Sequence, residues 1–161
     1  MKRLTRMSDM QAIYAIYMHP TVIPFLWHEQ KSIEDFEPIF EDLINRKTFY
    51  VYEIDEEIAS FYHLSRHAGR SSHVAYLGTF AVNPKLHRQG MAFKILSEQI
   101  AELRELGLKR MELIVESDNH HAIALYKKLG FQIEGTLRKF YKRAADAEFL
   151  DDHYMGLLLD E

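Results

Sequence analysis

Cysteine is absent from the chain. Its absence excludes disulfides and thiolate metal ligands, together with any mechanism that carries an acyl group on a cysteinyl sulfur. The nine histidines form no helical His-x-x-x-His pair or comparable ligand set, so no metal is expected. Long apolar runs are missing too: the longest, such as Gly156 to Leu159, fall far short of the roughly 20 residues a membrane helix needs. The basic N-terminal stretch Met1-Lys2-Arg3-Leu4-Thr5-Arg6 is not followed by the apolar segment of a secretory signal. A cytoplasmic location without a membrane partner is therefore the expectation. Positive charge is not in excess. A formal net charge of -4 and a pI near 6.1 give no global field for a polyanion. The basic patches, Lys127-Lys128 and Lys139 to Arg143, are short, and no nucleic-acid partner is expected.

What is present is the composition of an ordinary globular protein, 47% hydrophobic and 27% charged over 161 residues, with no low-complexity tract or internal repeat. That length predicts a single domain over residues 1–161. Ser8-Asp9 can cap a helix carrying Ile13, Ile16 and Tyr17 at helical spacing, which Pro20 stops. A second helix is predicted from Ser32 to Asn45, with Glu34 and Asp35 in the first turn, where the helix dipole favours acids. Thr48 to Ile54 and Ile58 to Ser65 read as a hairpin around Asp55-Glu56-Glu57, and Ala68 to Ser72 as a loop. The β-rich run His73 to Val82 ends at Asn83-Pro84, where proline blocks further ladder pairing. From Gly90, a helix with an apolar face of Phe93, Leu96, Ile100, Leu103 and Leu106 runs to Gly107. Met111 to Val115 reads as a strand. Asn119 caps a short helix whose Ala122, Leu125, Tyr126 and Leu129 face the core, closed by Gly130. Phe131 to Tyr141 and Glu148 to Leu159 alternate like two strands joined near Asp146. The order predicts a mixed α/β sheet.

Gly90 stands at the start of the long helix, where backbone N–H groups have no intrahelical partner. Glycine at 90 and alanine at 92 leave room for a phosphate, and His87 and Arg88 add charge. Alone, a glycine before a helix is more often plain local geometry. The dinucleotide pattern needs two more glycines and the P-loop a Gly-Lys-Ser/Thr ending; the chain has neither.

The frame His87-Arg88-Gln89-Gly90-Met91-Ala92 resembles the pyrophosphate loop of the GCN5-related N-acetyltransferase (GNAT) family: Gln or Arg, two residues, Gly, one residue, then Gly or Ala. His87 stands where the family usually has Gln or Arg. A second block, "ESDNHHAIALYKKLGFQIEGT", is similar to the family's other signature and matches it at Asn119, Ala122, Tyr126, Gly130 and Phe131. The two cover residues 76 to 136 in the family's order. The flanks "SHVAYLGTFAV", "IEGTLRKFYKR" and "EFLDDHYMGLLL" resemble the bacterial L-amino-acid and phosphinothricin-type N-acetyltransferases. The resemblance implies a central, mostly antiparallel twisted sheet flanked by about four helices, with acetyl-CoA as cosubstrate.

Transfer of acetyl from a thioester to an amine needs a held donor, a neutral amine, a polarised carbonyl and a proton for the departing thiolate. The resemblance implies that the backbone of Phe80, Ala81 and Val82 runs along the pantetheine arm, with an amide near Val82 polarising the carbonyl. It implies that His87, Arg88, Gln89, Gly90, Met91, Ala92 and Phe93 hold the pyrophosphate. Tyr126 on an apolar helix face is by itself more often a core residue. The family's tyrosine at that position protonates the coenzyme sulfur, and a phenol of ordinary pKa about 10 stays protonated at neutral pH. Asn119 is a helix cap that in the family also touches the arm. A substrate ammonium of pKa near 10 must lose a proton, which calls for a carboxylate or a water chain leading to one. Glu116 and Glu112 fall on one strand face, opposite Leu113 and Val115, and each is otherwise a solvated-face residue; Glu116 is the candidate base.

Aromatic residues in the first-helix region and the C-terminal hairpin could wall an acceptor pocket. They are Tyr17, Phe25, Leu26, Trp27, Phe140 and Tyr141, of which Trp27, Phe25 and Tyr141 are the substrate-binding candidates and Phe140 reads as core. Arg66, Arg138 or Lys142 could partner an acceptor carboxylate. The expected function is direct transfer of acetyl to the primary amine of a small molecule, as the resemblance implies a hydrophobic L-amino acid. Protein N-termini and polyamines are the alternative acceptors. A non-catalytic acyl-CoA-binding module is the rival class, disfavoured because a binder needs no proton donor at Tyr126. A homodimer is left open.

Overall fold

Alternation and helical periodicity become seven strands and four α-helices in a computed structural model describing residues 1–161. The strands are β1 (Lys2–Leu4), β2 (Phe49–Ile54), β3 (Glu57–Arg66), β4 (Val74–Val82), β5 (Arg110–Glu116), β6 (Gln132–Tyr141) and β7 (Leu150–Leu158). The helices are α1 (Met10–Tyr17), α2 (Ile33–Asn45), α3 (Met91–Glu105) and α4 (His120–Lys128). The sheet order is β1-β2-β3-β4-β5-β7-β6, with β4 and β5 parallel. No helix is long and apolar enough to cross a membrane. Two compact units divide the chain, residues 1–64 with 79–91 and residues 65–78 with 92–161.

The first unit is built on an aromatic core. Tyr17 stacks on Phe61 with ring centroids 5.8 Å apart and meets Phe36 tilted at 5.2 Å, and Phe40 and Phe49 extend the cluster. Tyr17 is 1% exposed. It is therefore a core residue and not a pocket wall. Ser32 caps α2 as its sequence predicts, its hydroxyl accepting the Asp35 amide at 3.1 Å. At the start of α1 the expectation is corrected. The Asp9 carboxylate turns back to the Arg6 amide at 2.7 Å and to the Arg3 guanidinium at 2.7 and 2.8 Å, and α1 is entered through a 3-10 turn, Met7–Asp9. Charge-assisted bonds to arginine outweigh a cap. Strand β1, which the sequence did not reveal, pairs antiparallel with β2; three residues are too few to display a period. The β2–β3 hairpin turns at Asp55 and Glu56, both left-handed (φ 49° and 65°), the twist that suits a two-residue loop.

The second unit holds the other end of β4. Its residues 74–77 pair in parallel with 110–113. In the first unit the remainder of β4 binds β3: Ser60 Oγ donates to the Ala81 carbonyl at 2.7 Å. The Asn83 amide donates to the Ala59 carbonyl at 2.8 Å. Between the two pairings Thr79 has φ 50°, a break in the extended backbone. The buried stripe of α3 is Ile95, Leu96, Gln99, Ile100 and Leu103. Phe93 and Leu106 do not share it. Leu106 is 64% exposed beyond the end of α3, and the Lys128 ammonium lies 4.7 Å from the Phe93 ring centre. On α4 only Tyr126 is buried, while Ala122, Leu125 and Leu129 are half-buried. Strand β7 lies between β5 and β6, so that Glu116 stands directly opposite Asp152.

Candidate active site

In the first unit β4 runs into Asn83-Pro84 and a short 3-10 turn, Pro84–Leu86. The side chains of this loop brace it. Asn83 Oδ1 accepts the Lys85 amide at 3.1 Å, Gln89 Nε2 donates to the Lys85 carbonyl at 2.9 Å, and His87 Nε2 donates to the Val82 carbonyl at 2.9 Å. The sequence reading gave His87 an anion contact; the structure commits its Nε2 to holding the loop against β4. Arg88 and Gly90 are left-handed, φ 60° and 72°. No bond within the turn uses the amides of Arg88, Gln89 or Gly90. These donors, ahead of a 15-residue helix, are of the kind that receive a phosphate. Phe80 packs against Tyr62, ring centroids 6.1 Å apart, while Ala81 and Val82 are buried.

The second unit gathers Tyr76, Glu116, Asn119, Tyr126 and Asp152. Asn119 caps α4 through Oδ1, which accepts the Ala122 amide at 3.3 Å, and its Nδ2 donates to Glu116 Oε2 at 3.3 Å. Burial pushes the Glu116 carboxyl up to about 7, and the Asp152 charge adds to the rise against the hydrogen bond from Asn119 and the positive charge of Arg143. Asp152, 3% exposed, is likewise pushed up to about 6, by burial first and then by Asp118. Its Oδ1 has no hydrogen-bond partner. Tyr126 is 8% exposed, and burial, reinforced by the negative charge of Glu116, raises its phenol well above the ordinary value. It stays protonated. Tyr76 is raised too, by burial first and then by the negative charges of Glu112, Asp152 and Glu116. Arg143 closes the cluster with a bidentate pair to Asp118, at 2.8 and 3.0 Å, and lies over the Tyr141 ring at 5.0 Å.

Glu112, the second candidate base, is corrected. Far from a solvated face, it is buried and bonded by Arg110 Nε at 2.8 Å and His67 Nε2 at 2.6 Å. Burial alone would raise its carboxyl, but bonds from Tyr154, Arg110 and His67 hold it below the ordinary range. A carboxylate so fully engaged is no base. Among the acceptor candidates, Phe25 is half-buried, Leu26 buried, Tyr141 half-buried beneath Arg143, and Trp27 70% exposed. Phe140 is 46% exposed and not core, because β6 is solvated along most of its length. Arg66 donates twice to the Ser72 carbonyl, and the Lys142 ammonium lies over the Phe149 ring. Asp152, Asp118, Arg143 and Tyr76 escaped sequence reasoning. The only signal for Asp152 is its register opposite Glu116, which local pattern does not carry.

A strand that changes partner, a glycine-led helix start and a capped α4 carrying a buried tyrosine are the features of an acetyltransferase fold. The chain belongs to the acetyltransferase (GNAT) family, whose model matches residues 10–131. It is 40% identical over 88 residues to the L-amino acid N-acetyltransferase AaaT of Escherichia coli K12, covering 54% of this chain and 52% of that protein. It is also 40% identical over 72 residues to the ribosomal protein bS18 alanine N-acetyltransferase of the same strain, covering 45% and 48%. The chain thus spans about half the length of the curated relatives it matches. The fold is shared with an acetyltransferase structure from Salmonella typhimurium solved with its cofactor acetyl-CoA (TM-score 0.74, 22% identity, 100% of this chain and 94% of that one).

Proposed function

We propose that the protein transfers acetyl from acetyl-CoA directly to the primary amine of a small molecule, a hydrophobic L-amino acid. The observation that carries this reading is the Tyr126 hydroxyl, held protonated by burial, in one electrostatic cluster with a Glu116 carboxyl poised near neutral pH. A general acid and a general base of suitably separated pKa are what aminolysis of a thioester requires. Glu116 takes a proton from the substrate ammonium. The free amine attacks the acetyl carbonyl, forming the C–N bond, and the C–S bond breaks. Tyr126 gives its proton to the thiolate. The nitrogen gives up its second proton as the amide forms and that proton restores the Tyr126 hydroxyl, while Glu116 releases the first to solvent, so the net products are the N-acetyl amine, coenzyme A and one proton.

The donor is assigned to the backbone of Phe80, Ala81 and Val82 and the amides of Arg88, Gln89, Gly90, Met91, Ala92 and Phe93, with His87, whose own amide donates to the Pro84 carbonyl, bracing the loop and Asn119 at the pantetheine arm. Two left-handed residues and unspent amides in the loop support this. The hydrophobic amino-acid acceptor rests on likeness to an L-amino acid N-acetyltransferase and on Trp27, Phe25 and Tyr141 as apolar surface. Likeness to an enzyme acting on a ribosomal protein makes a peptide N-terminus the second acceptor to test. Initial rates with acetyl-CoA and phenylalanine both varied test direct transfer. Intersecting double-reciprocal lines are expected, since the chain has no cysteine to carry the acetyl group. Parallel lines, the mark of a covalent acetyl-enzyme, contradict it.

A further inference from the structure

Glu116 on β5 and Asp152 on β7 are Cα partners across an antiparallel pair, a placement that brings side-chain Cβ atoms to about 4.5–5.5 Å of one another. Two carboxylates held so close in a buried setting repel, and such a pair is costly unless a donor or a proton comes between them. A donor is what Asp152 lacks. It is 3% exposed, and its Oδ1 is buried without a hydrogen-bond partner. A buried acceptor left open in this way marks a state of the site in which something else donates to it.

Resting on the reading of Glu116 as the base, we infer that Asp152 is its positioning residue: the open Oδ1 accepts the hydrogen bond of the proton that Glu116 takes from the substrate. The step balances simply. The N–H bond of the ammonium breaks, an O–H bond forms on Glu116, and that O–H donates to Asp152, so the pair goes from two charges to one. Asp152 does not touch the acceptor, being sealed in the sheet; it acts through Glu116 by favouring the protonated form over the ionised one. An ordinary exposed carboxylate, pKa about 4.3, is a poor acceptor for an ammonium proton, and the partner strengthens it.

Groups from every neighbouring element bear on the pair. Asn119 and Arg143 favour the ionised form of Glu116, and Tyr76 on β4 and Tyr126 on α4 are neutral phenols within its field. Asp118 and Asp151 add negative charge at Asp152, while His153 and Arg143 oppose it. Leu137, facing Asp152 from β6, offers no donor. Burial wins at both carboxyls, helped at Glu116 by the charge of Asp152 and at Asp152 by Asp118 and Asp151, and their midpoints lie at about 7 and about 6.

The test is carboxyl 13C NMR of the full chain without ligand, with Glu and Asp labelled and Glu116 identified through Glu116→Gln. In the wild type, Glu116 and Asp152 should give mutually coupled, two-step titrations near neutral pH. In Asp152→Asn the Glu116 midpoint should fall by about one pH unit or more. The acid limb of kcat/KM for the acetylated acceptor should move down with it. Independent single-step curves in the wild type, or an unmoved Glu116 midpoint in a folded Asp152→Asn, overturn the inference. The wild-type titration stands if the variant fails to fold. Should no amine be acetylated while the coupled titration is present, the assignment of function fails and the pairing of the two carboxyls does not.

Discussion

Asn119 donates to the Glu116 carboxylate at 3.3 Å with the same side chain whose oxygen caps α4 at Ala122. One residue therefore fixes the start of the helix that carries Tyr126 and favours the ionised form of the proposed base against the effect of burial. Asn119→Ser keeps a capping oxygen on a shorter side chain and loses the amide N–H that reaches Glu116; Asn119→Ala loses both. The alanine variant should be destabilised by about 1 kcal/mol, a fall in Tm of roughly 2–4 °C, and the serine variant much less. In each the acid limb of the rate profile should move up, because the bond removed favours ionised Glu116. An acid limb that stays in place in both variants argues that this bond does not tune the base.

Tyr126→Phe removes one oxygen from a packed site, and the ring contact with Phe131, at 5.8 Å, can persist. Stability should change little, and kcat should fall roughly 10- to 1,000-fold with acetyl-CoA affinity retained. With the phenol pushed up by burial, no alkaline limb from Tyr126 is expected in the ordinary assay range. Unaltered kcat in a chemistry-limited assay reduces Tyr126 to a packing residue.

How far the sequence disclosed these groups depended on distance along the chain. The caps at Ser32 and Asn119, the stop at Asn83-Pro84 and the glycine at 90 are local, and each is found where its pattern put it. Glu116 and Tyr126 were legible as candidates from residue type and motif. Asp152 was not, because strand register across β5 and β7 joins it to Glu116 over more than thirty intervening residues. The periodicity of α3 puts Phe93 and Leu106 on the wrong face, since the choice between neighbouring helical stripes is made by packing and not by period. Asp9 looks like a cap in the sequence because Arg3, its partner in the structure, sits in a strand too short to show itself.

Gly90 has φ 72° and open space where a Cβ would stand. Substitution there is a matter of backbone conformation and charge, not of collision. Gly90→Ala should cost about 1 kcal/mol and weaken acetyl-CoA modestly. Gly90→Glu adds a negative charge beside the proposed phosphate site and should weaken binding far more, the difference shrinking at high salt. Calorimetry that finds equal affinities for wild type and Gly90→Glu rules out the pyrophosphate at this loop.

Raised carboxyls have a consequence for stability. Between the ordinary carboxylate range and about 7, the folded protein keeps the Glu116 proton that the unfolded chain has lost, so stability falls as pH rises through that window. Asp152, at about 6, acts in the same direction. Glu116→Gln should flatten the dependence of Tm on pH between 4.5 and 7 and raise Tm at pH 8. A slope equal to the wild type's shows that Glu116 titrates normally in the folded protein.

Trp27, 70% exposed, should tolerate replacement without loss of stability. Trp27→Ala is expected to raise KM for the acceptor several-fold while leaving KM for acetyl-CoA alone. An unchanged acceptor KM removes Trp27 from the binding surface.

The most direct measurement of the proposed chemistry is release of free coenzyme A thiol from acetyl-CoA by the purified chain. The assay is run against all the amino acids, spermidine and short peptides, with the product read by mass spectrometry. Thiol release dependent on phenylalanine or methionine, with one acetyl group on the α-amine and a rate roughly 10- to 1,000-fold lower in Tyr126→Phe at equal enzyme, is the predicted result. Release with spermidine or peptide N-termini in preference to every free amino acid contradicts the acceptor, and no amine-dependent release with any of them contradicts the transfer itself.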